Sequence, residues 1–128
     1  MKGSDKTYNE MLELLKQLIE TPSTTKDEKK VSSLIATDMK RHGYTPKKIG
    51  LNLLCYSKSY DPKKPTILLN SHMDTVKPVS GWTRNPFVPT IEKDRLYGLG
   101  SNDDGAGLVS LLHTFYKLDS KPQHYNIL

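Results

Sequence analysis

Cysteine is almost missing from this chain of 128 residues: Cys55 stands alone, which rules out an internal disulfide and fits a reducing cytoplasm. Long hydrophobic runs are missing too. No apolar stretch reaches membrane-spanning length, and the opening MKGSDKTYNE has no signal-peptide core, so the chain reads as neither membrane-inserted nor exported. Arginine is scarce, since 16 of the 19 basic residues are lysine. Those lysines are scattered along the chain and are not gathered with aromatics. The formal charge of +5 therefore describes a solvated surface and not a nucleic-acid-binding face. There is no internal repeat and no low-complexity segment. With 35% hydrophobic residues, the length supports one small globular domain with a real core.

Against that background the helical signals are clear. Tyr8, Met11, Leu12, Leu15, Leu18 and Ile19 recur at helical spacing. Thr7 with Glu10 predicts a capping box at the start of this helix, and Thr21-Pro22 closes it. A second helix is expected from about Thr25, again with an acid, Glu28, three places on. It carries Val31, Leu34, Ile35 and Met39 on one face and stops at Gly43, a C′ position. A third runs from about Gly105 to Leu118, with Leu108, Leu111, Leu112 and Phe115 inward.

Between them the period changes to that of strands. Tyr44–Ile49 and Leu53–Tyr56 read as short strands around Gly50-Leu51-Asn52. Thr66–Asn70 is continuously apolar, the pattern of a strand covered on both faces. Val88–Glu92 and Arg95–Tyr97 predict a hairpin around Lys93-Asp94. Tyr125–Leu128 looks like the opening of another strand, so the chain reads as cut off in mid-fold.

Two stretches carry chemistry. The first is Asn70-Ser-His-Met-Asp-Thr-Val76, which ends the apolar strand with His72 and then Asp74. Open α/β sheets place their sites at the carboxyl ends of strands. A metal-bound imidazole commonly donates its other N–H to a carboxylate, and His-x-Asp supplies such a pair. Taken alone, the tripeptide is a weak signal, since a buried strand-end histidine bonded to backbone is the commoner outcome. The second stretch is Leu96-Tyr-Gly-Leu-Gly-Ser-Asn-Asp-Asp-Gly-Ala-Gly107. An N-cap and a first-turn acid account for one of its two aspartates. The glycines at 98, 100, 105 and 107 point instead to close chain approach around Asp103 and Asp104. A phosphate-binding reading fails, because no third glycine follows at the required spacing and no Gly-Lys-Ser/Thr occurs. Imidazole nitrogen and carboxylate oxygen suit a divalent cation, and His72 with Asp103 offers both.

With both stretches in view, the chain resembles the M20 family of metallopeptidases and amidohydrolases. The likeness covers nearly the whole chain, in order: two N-terminal helices, Ser71–Val76, Trp82-Thr-Arg-Asn-Pro-Phe87, Leu96-Tyr-Gly-Leu-Gly100 and Asp103-Asp104. The resemblance implies an α/β fold, a three-layer zinc-exopeptidase-like catalytic core with a mixed sheet flanked by helices, here truncated. Residues 1–128 would be the N-terminal portion of that catalytic domain, without the lid or dimerisation domain and without its C-terminal part. It also implies a centre of two divalent metal ions, Zn2+ foremost and Co2+ as the alternative. His72 would ligate one metal, Asp103 would bridge both, and Asp74 would be the catalytic carboxylate orienting His72. The peptide between Asp103 and Asp104 would be cis.

Two positions depart from the commoner family pattern, Leu99 between the glycines and Gly105 after the second acid. The Gly-Leu-Gly-Ser-Asn-Asp version most resembles the acetylornithine deacetylase branch of the family, which leans the substrate toward N-acetylornithine or N-succinylornithine, hence toward deacylation in arginine biosynthesis. The alternatives are a di-/aminopeptidase or carboxypeptidase of the same family, or a catalytically inert fragment. The expected partner is a small N-acyl amino acid or short peptide, with no nucleic acid and no membrane. The parent is expected to be cytoplasmic and a homodimer, and its general base, a glutamate, is expected beyond Leu128. Three histidines fall outside the family pattern: His42 reads as a favourable charge at a helix C-terminus, His113 as a helix-surface residue and His124 as a loop residue.

Overall fold

A computed structural model describes residues 2–128, with side chains from Lys6 onward. Three helices and six short strands follow one another: α1 (Lys2–Glu20), α2 (Lys29–Arg41), β1 (Lys47–Ile49), β2 (Asn52–Leu54), β3 (Thr66–Ile67), β4 (Thr90–Glu92), β5 (Arg95–Tyr97), α3 (Ala106–Asp119) and β6 (Asn126–Ile127). The class is mixed α/β, as expected. The strands form three two-stranded ladders, antiparallel for β1–β2 and β4–β5 and parallel for β3–β6.

The core lies where the three helices meet the β3–β6 ladder. Leu14, Val31, Ile35, Val109 and Ile127 are each at most 3% exposed. Tyr44, Phe115 and Tyr116 stack beside them, with ring centroids 5.0 and 5.3 Å from Tyr44. The sequence pattern picks the right face of α2. On α1 it misses Leu14, and Tyr8, counted on the apolar stripe, is 63% exposed.

Both expected N-terminal caps fail, for different reasons. Helix α1 already begins at Lys2, so Thr7 is an interior residue. Helix α2 begins after Glu28, which makes no side-chain cap; its Oε1 accepts from the Lys26 amide at 2.7 Å instead. The far end of α2 goes as predicted. Gly43 takes φ +83°, the Gly43 amide donates to Lys40 and the Tyr44 amide to Met39, the paired bonds of a Schellman motif.

Thr66–Asn70 is the main correction. Only Thr66 and Ile67 join a ladder, and Ile67 and Leu68 are 43% and 65% exposed. Among the described residues β6 is this strand's one hydrogen-bonded neighbour, and of its apolar side chains Leu69 packs against the core while Ile67 and Leu68 stay open. The hairpin β4–β5 forms in the expected register around Lys93-Asp94, with Lys93 at φ +56°. No helix among the described residues is long and apolar enough to cross a membrane.

Candidate metal centre

The segment after β3 leaves the ladder and runs toward the α1–α2 connection. The Thr75 amide donates to the Ser23 carbonyl at 2.8 Å, and Thr24 and Thr75 form a parallel bridge. This fastening holds His72 and Asp74 at the mouth of a cleft of about 310 Å³, bordered also by Thr25, Trp82, Gly100 and Asp103.

The opposite wall is the kinked turn Ser101–Gly105 that leads into α3. Asp103 and Asp104 take non-helical torsions there, and the peptide between them is cis. The two carboxylates part ways. Asp103 turns outward, its side chain 89% exposed, and reaches His72. Asp104 turns inward and accepts the Ser71 hydroxyl. Its carboxylate fills the space a Cβ at Gly107 would need, which explains why that position carries no side chain. Gly100, at φ +74° with the Thr75 methyl 2.6 Å from where a Cβ would sit, is likewise closed to a side chain, and so is Gly105, whose Cβ would meet the Gly100 carbonyl oxygen at 2.6 Å. Close approach, read from the glycine pattern, is thus real at Gly98, Gly100, Gly105 and Gly107.

The structure brings His72, Asp74 and Asp103 together. His72 Nδ1 lies 3.1 Å from the Asp74 carbonyl and 3.3 Å from its Oδ1, while Nε2 lies 3.1 Å from Asp103 Oδ1. Desolvation pulls the imidazole down, but hydrogen bonds to Asp74 and Asp103 and their charges outweigh it, so its pKa is raised. Asp74 is lowered, first by the Thr25 hydroxyl, which donates to Oδ2 at 2.6 Å, and also by His72. Thr25 is the residue sequence reading missed. Its spacing to Glu28 suggested a cap, and nothing local says that its hydroxyl reaches a carboxylate 49 residues away.

This arrangement fits a cation. With Nδ1 facing Asp74, the neutral ring presents its lone pair from Nε2, on the same side as the outward Asp103 oxygens. The hairpin braces the cleft from outside: Arg84 donates to Glu92 at 2.6 Å and lies 4.3 Å over the Tyr97 ring, and the Leu99 amide donates to the Pro86 carbonyl at 2.7 Å. His124 lies in an exposed loop and His42 at the C-cap of α2, both as expected. His113 does not fit: it is 7% exposed and not on the surface, since α3 turns it toward α1 and α2.

Comparison with known proteins agrees with this picture. The model of "Peptidase family M20/M25/M40" matches residues 68–128, a span that holds His72, Asp74 and Asp103. Succinyl-diaminopimelate desuccinylase of Blochmanniella floridana is 30% identical over 126 residues, covering 92% of this chain and 33% of that protein. The enzyme of the same name from Pelagibacter ubique is 32% identical, covering 81% of this chain and 29% of that one. An M20 family metallo-carboxypeptidase from Sulfolobus solfataricus superposes with TM-score 0.72 at 25% identity, over 92% of this chain and 29% of that chain. Human carnosine dipeptidase 1 shares the fold at TM-score 0.70 and 20% identity, over 96% of this chain and 31% of that one. The chain spans about a third of the length of the curated relatives it matches.

Proposed function

The chain belongs to peptidase family M20/M25/M40, and from that premise we propose that its parent protein hydrolyses the amide bond of an N-acyl amino acid at a two-cation centre. The observation that carries this reading is His72 Nε2 facing Asp103 Oδ1 across 3.1 Å, with Nδ1 turned to Asp74. His72 and Asp103 would hold divalent metal, zinc or cobalt, with Asp103 shared between two ions. Bound there, the cations supply Lewis-acid polarisation of the amide carbonyl and a water acidified toward neutral pH.

The chain's own residues set the stage for that chemistry. The Asp74 carbonyl accepts a hydrogen bond from Nδ1–H, with the Asp74 carboxylate 3.3 Å away, which fixes the tautomer and makes Nε2 a better donor of its lone pair. Thr25 holds Asp74 ionised and in place. Asp104, tied to Ser71, anchors the turn so that Asp103 points into the cleft. Trp82 and Thr25 border the cleft where an acyl or side-chain group would lie. We assign the general base, a glutamate, and the remaining ligands to the length of the relatives that this chain does not span. The lid or dimerisation domain belongs to that same length. In this reading residues 1–128 are the N-terminal portion of the catalytic domain, a cytoplasmic homodimeric parent carries the activity, and the isolated chain has little or none.

For the substrate, the desuccinylase relatives favour an N-succinyl diamino acid, while the Gly98-Leu-Gly-Ser-Asn-Asp-Asp104 variant favours N-acetylornithine or N-succinylornithine. Both are amides of an N-acyl amino acid. A dipeptide is the second reading, supported by the dipeptidase and carboxypeptidase likenesses. The test is release of free amine by the full-length protein with zinc or cobalt. The substrates are N-succinyl-diaminopimelate, N-acetylornithine, N-succinylornithine and a dipeptide. An N-acyl substrate is expected to lead in kcat/KM by about tenfold or more, with loss on chelation. No hydrolysis of any of them would overturn the proposal.

A further inference from the structure

A second histidine cluster, sharing no residue with the cleft, sits where the three helices meet. Glu10 comes from α1, His42 from the C-cap of α2 and His113 from α3, and one ligand-type atom of each lies within 4.8 Å of the others. His113 is 7% exposed, and its Nε2 is shut off from solvent with no hydrogen-bond partner among the described residues. Ring stacking accounts for burying the imidazole: Tyr116 and His42 each approach it edge-on at 5.5 Å. Stacking does not account for the orphaned nitrogen, since a buried polar atom without a partner is costly and rare.

His42 is prepared in the complementary way. Its Nδ1 lies 2.9 Å from the Asp38 carbonyl, which leaves Nε2 to carry the lone pair. Asp38 is 3% exposed and is itself fixed by Arg41 at 2.7 Å and by the Tyr116 hydroxyl at 3.0 Å. A fixed backbone acceptor behind an imidazole, with further hydrogen bonds behind that, is the usual surrounding of a metal-bound histidine. Glu10 is exposed and engaged by Lys6 only at 3.8 Å, a loose surface pair.

We propose that Glu10, His42 and His113 form a binding site for a borderline divalent cation, zinc foremost, which staples α1, α2 and α3 to one another. Two imidazoles and one carboxylate are a familiar zinc set, leaving the fourth position to solvent on the Glu10 side. Zinc bonds of 2.0–2.1 Å set tetrahedral ligand atoms roughly 3.3 Å apart. Ligand atoms that lie within 4.8 Å of one another reach that spacing by side-chain rotation, for which the exposed Glu10 has the most room. Burial, foremost, holds the His113 imidazole below its ordinary pKa, in the neutral form that ligates. Because the three ligands come from three helices, binding selects the folded chain and stabilises it by mass action.

The test is zinc calorimetry and thermal unfolding on the 128-residue chain carrying His72→Asn and Asp103→Asn, which silences the cleft. A single zinc ion is expected to bind this background and raise its melting temperature. Adding Glu10→Gln, an exposed substitution that leaves metal-free stability unchanged, is expected to weaken binding about tenfold or more. Adding His42→Gln instead is expected to do the same. Cobalt should give the visible bands of a four-coordinate ion, lost in the same variants. No zinc binding in the silenced background, or binding that survives both Glu10→Gln and His42→Gln, would overturn the proposal.

Discussion

His72 and His113 are both within reach of carboxylates, yet the fold treats them in opposite ways. The His72 side chain is 52% exposed, stands in a loop after β3, and has an acidic neighbour at each nitrogen. His113 is 7% exposed, stands mid-helix, and has Nε2 without a hydrogen-bond partner among the described residues. Accordingly His72 is raised, its acidic partners outweighing desolvation, while His113 is lowered, chiefly by burial. The contrast teaches that proximity to acid does not define a site. An open cleft displays His72 to something that arrives from solvent, whereas helix packing encloses His113 and exposes only the Glu10 side of its cluster.

The sharpest way to break this division is to remove each cluster from the full-length protein. His72→Ala is expected to lower kcat/KM for the amide substrate by about a thousandfold or more, some 4 kcal/mol of barrier. Glu10→Gln is expected to leave it within about twofold. Steady-state assays with zinc in excess decide it: a comparable loss from Glu10→Gln would mean that the two clusters work as one.

The next effect belongs to the packed side alone. Cys55 lies under the helices, 8% exposed, and burial, with Asp119 nearby, pushes its thiol from 9.0 up to about 11. Above pH 9 the unfolded chain releases this proton while the folded chain keeps it. The stability Cys55 contributes is therefore complete below pH 9 and is lost as the pH rises through about 11. The difference amounts to about 2–3 kcal/mol. Tyr44 and Tyr116, both raised by burial, push the same way at still higher pH. Urea midpoints from pH 7 to 11 should fall steeply for the wild type and less steeply for Cys55→Ala. Parallel curves would refute the assignment.

The cleft half of this contrast was legible in the sequence and the helical half was not, and the limit was distance along the chain. The cleft was readable because its parts sit in two short segments, Ser71–Val76 and Gly98–Gly107, whose residue types are odd for a core. The Gly43 stop and the Lys93-Asp94 hairpin were readable because their bonds are local. Glu10, His42 and His113 are 32 and 71 residues apart in order, so no local pattern joins them. A signal for His113 did exist: it stands four residues after Val109 and three before Tyr116, on the stripe that packs. The apolar strand misled for a different reason. A hydrophobic run reports what could be covered, and Leu68 has no cover among the described residues.

A smaller effect separates packing from display within one residue. Tyr116→Phe removes the hydroxyl that donates to buried Asp38 at 3.0 Å and leaves a carboxylate oxygen short of a donor. The expected cost is about 1–3 kcal/mol in urea unfolding. Zinc binding at Glu10, His42 and His113 should weaken with it, since the same Asp38 oxygen lies 3.5 Å from His42 Nδ1. Binding at His72 and Asp103 should not change. If both sites weaken equally, the helical layer and the cleft are not separable.

The smallest effect tests how far the cleft's own ordering extends. Thr25 touches no reacting group in the proposed chemistry; it donates to Asp74 Oδ2 at 2.6 Å, and Asp74 in turn faces His72 Nδ1. Direct partners of metal-bound histidines typically contribute 10–100-fold to metal affinity, so a residue one step further out should contribute less than about tenfold. Thr25→Val in the full-length protein is expected to lower zinc affinity several-fold and to lower kcat more than it raises KM. Because Thr25 is exposed, the urea midpoint should stay within about 0.5 kcal/mol of wild type. Thr25→Ser restores the hydroxyl and should recover most of the zinc affinity, which a purely steric role for the threonine methyl would not allow. A Thr25→Val protein with unchanged zinc affinity would show that Asp74 orients His72 without help, and that the ordering stops at the carboxylate.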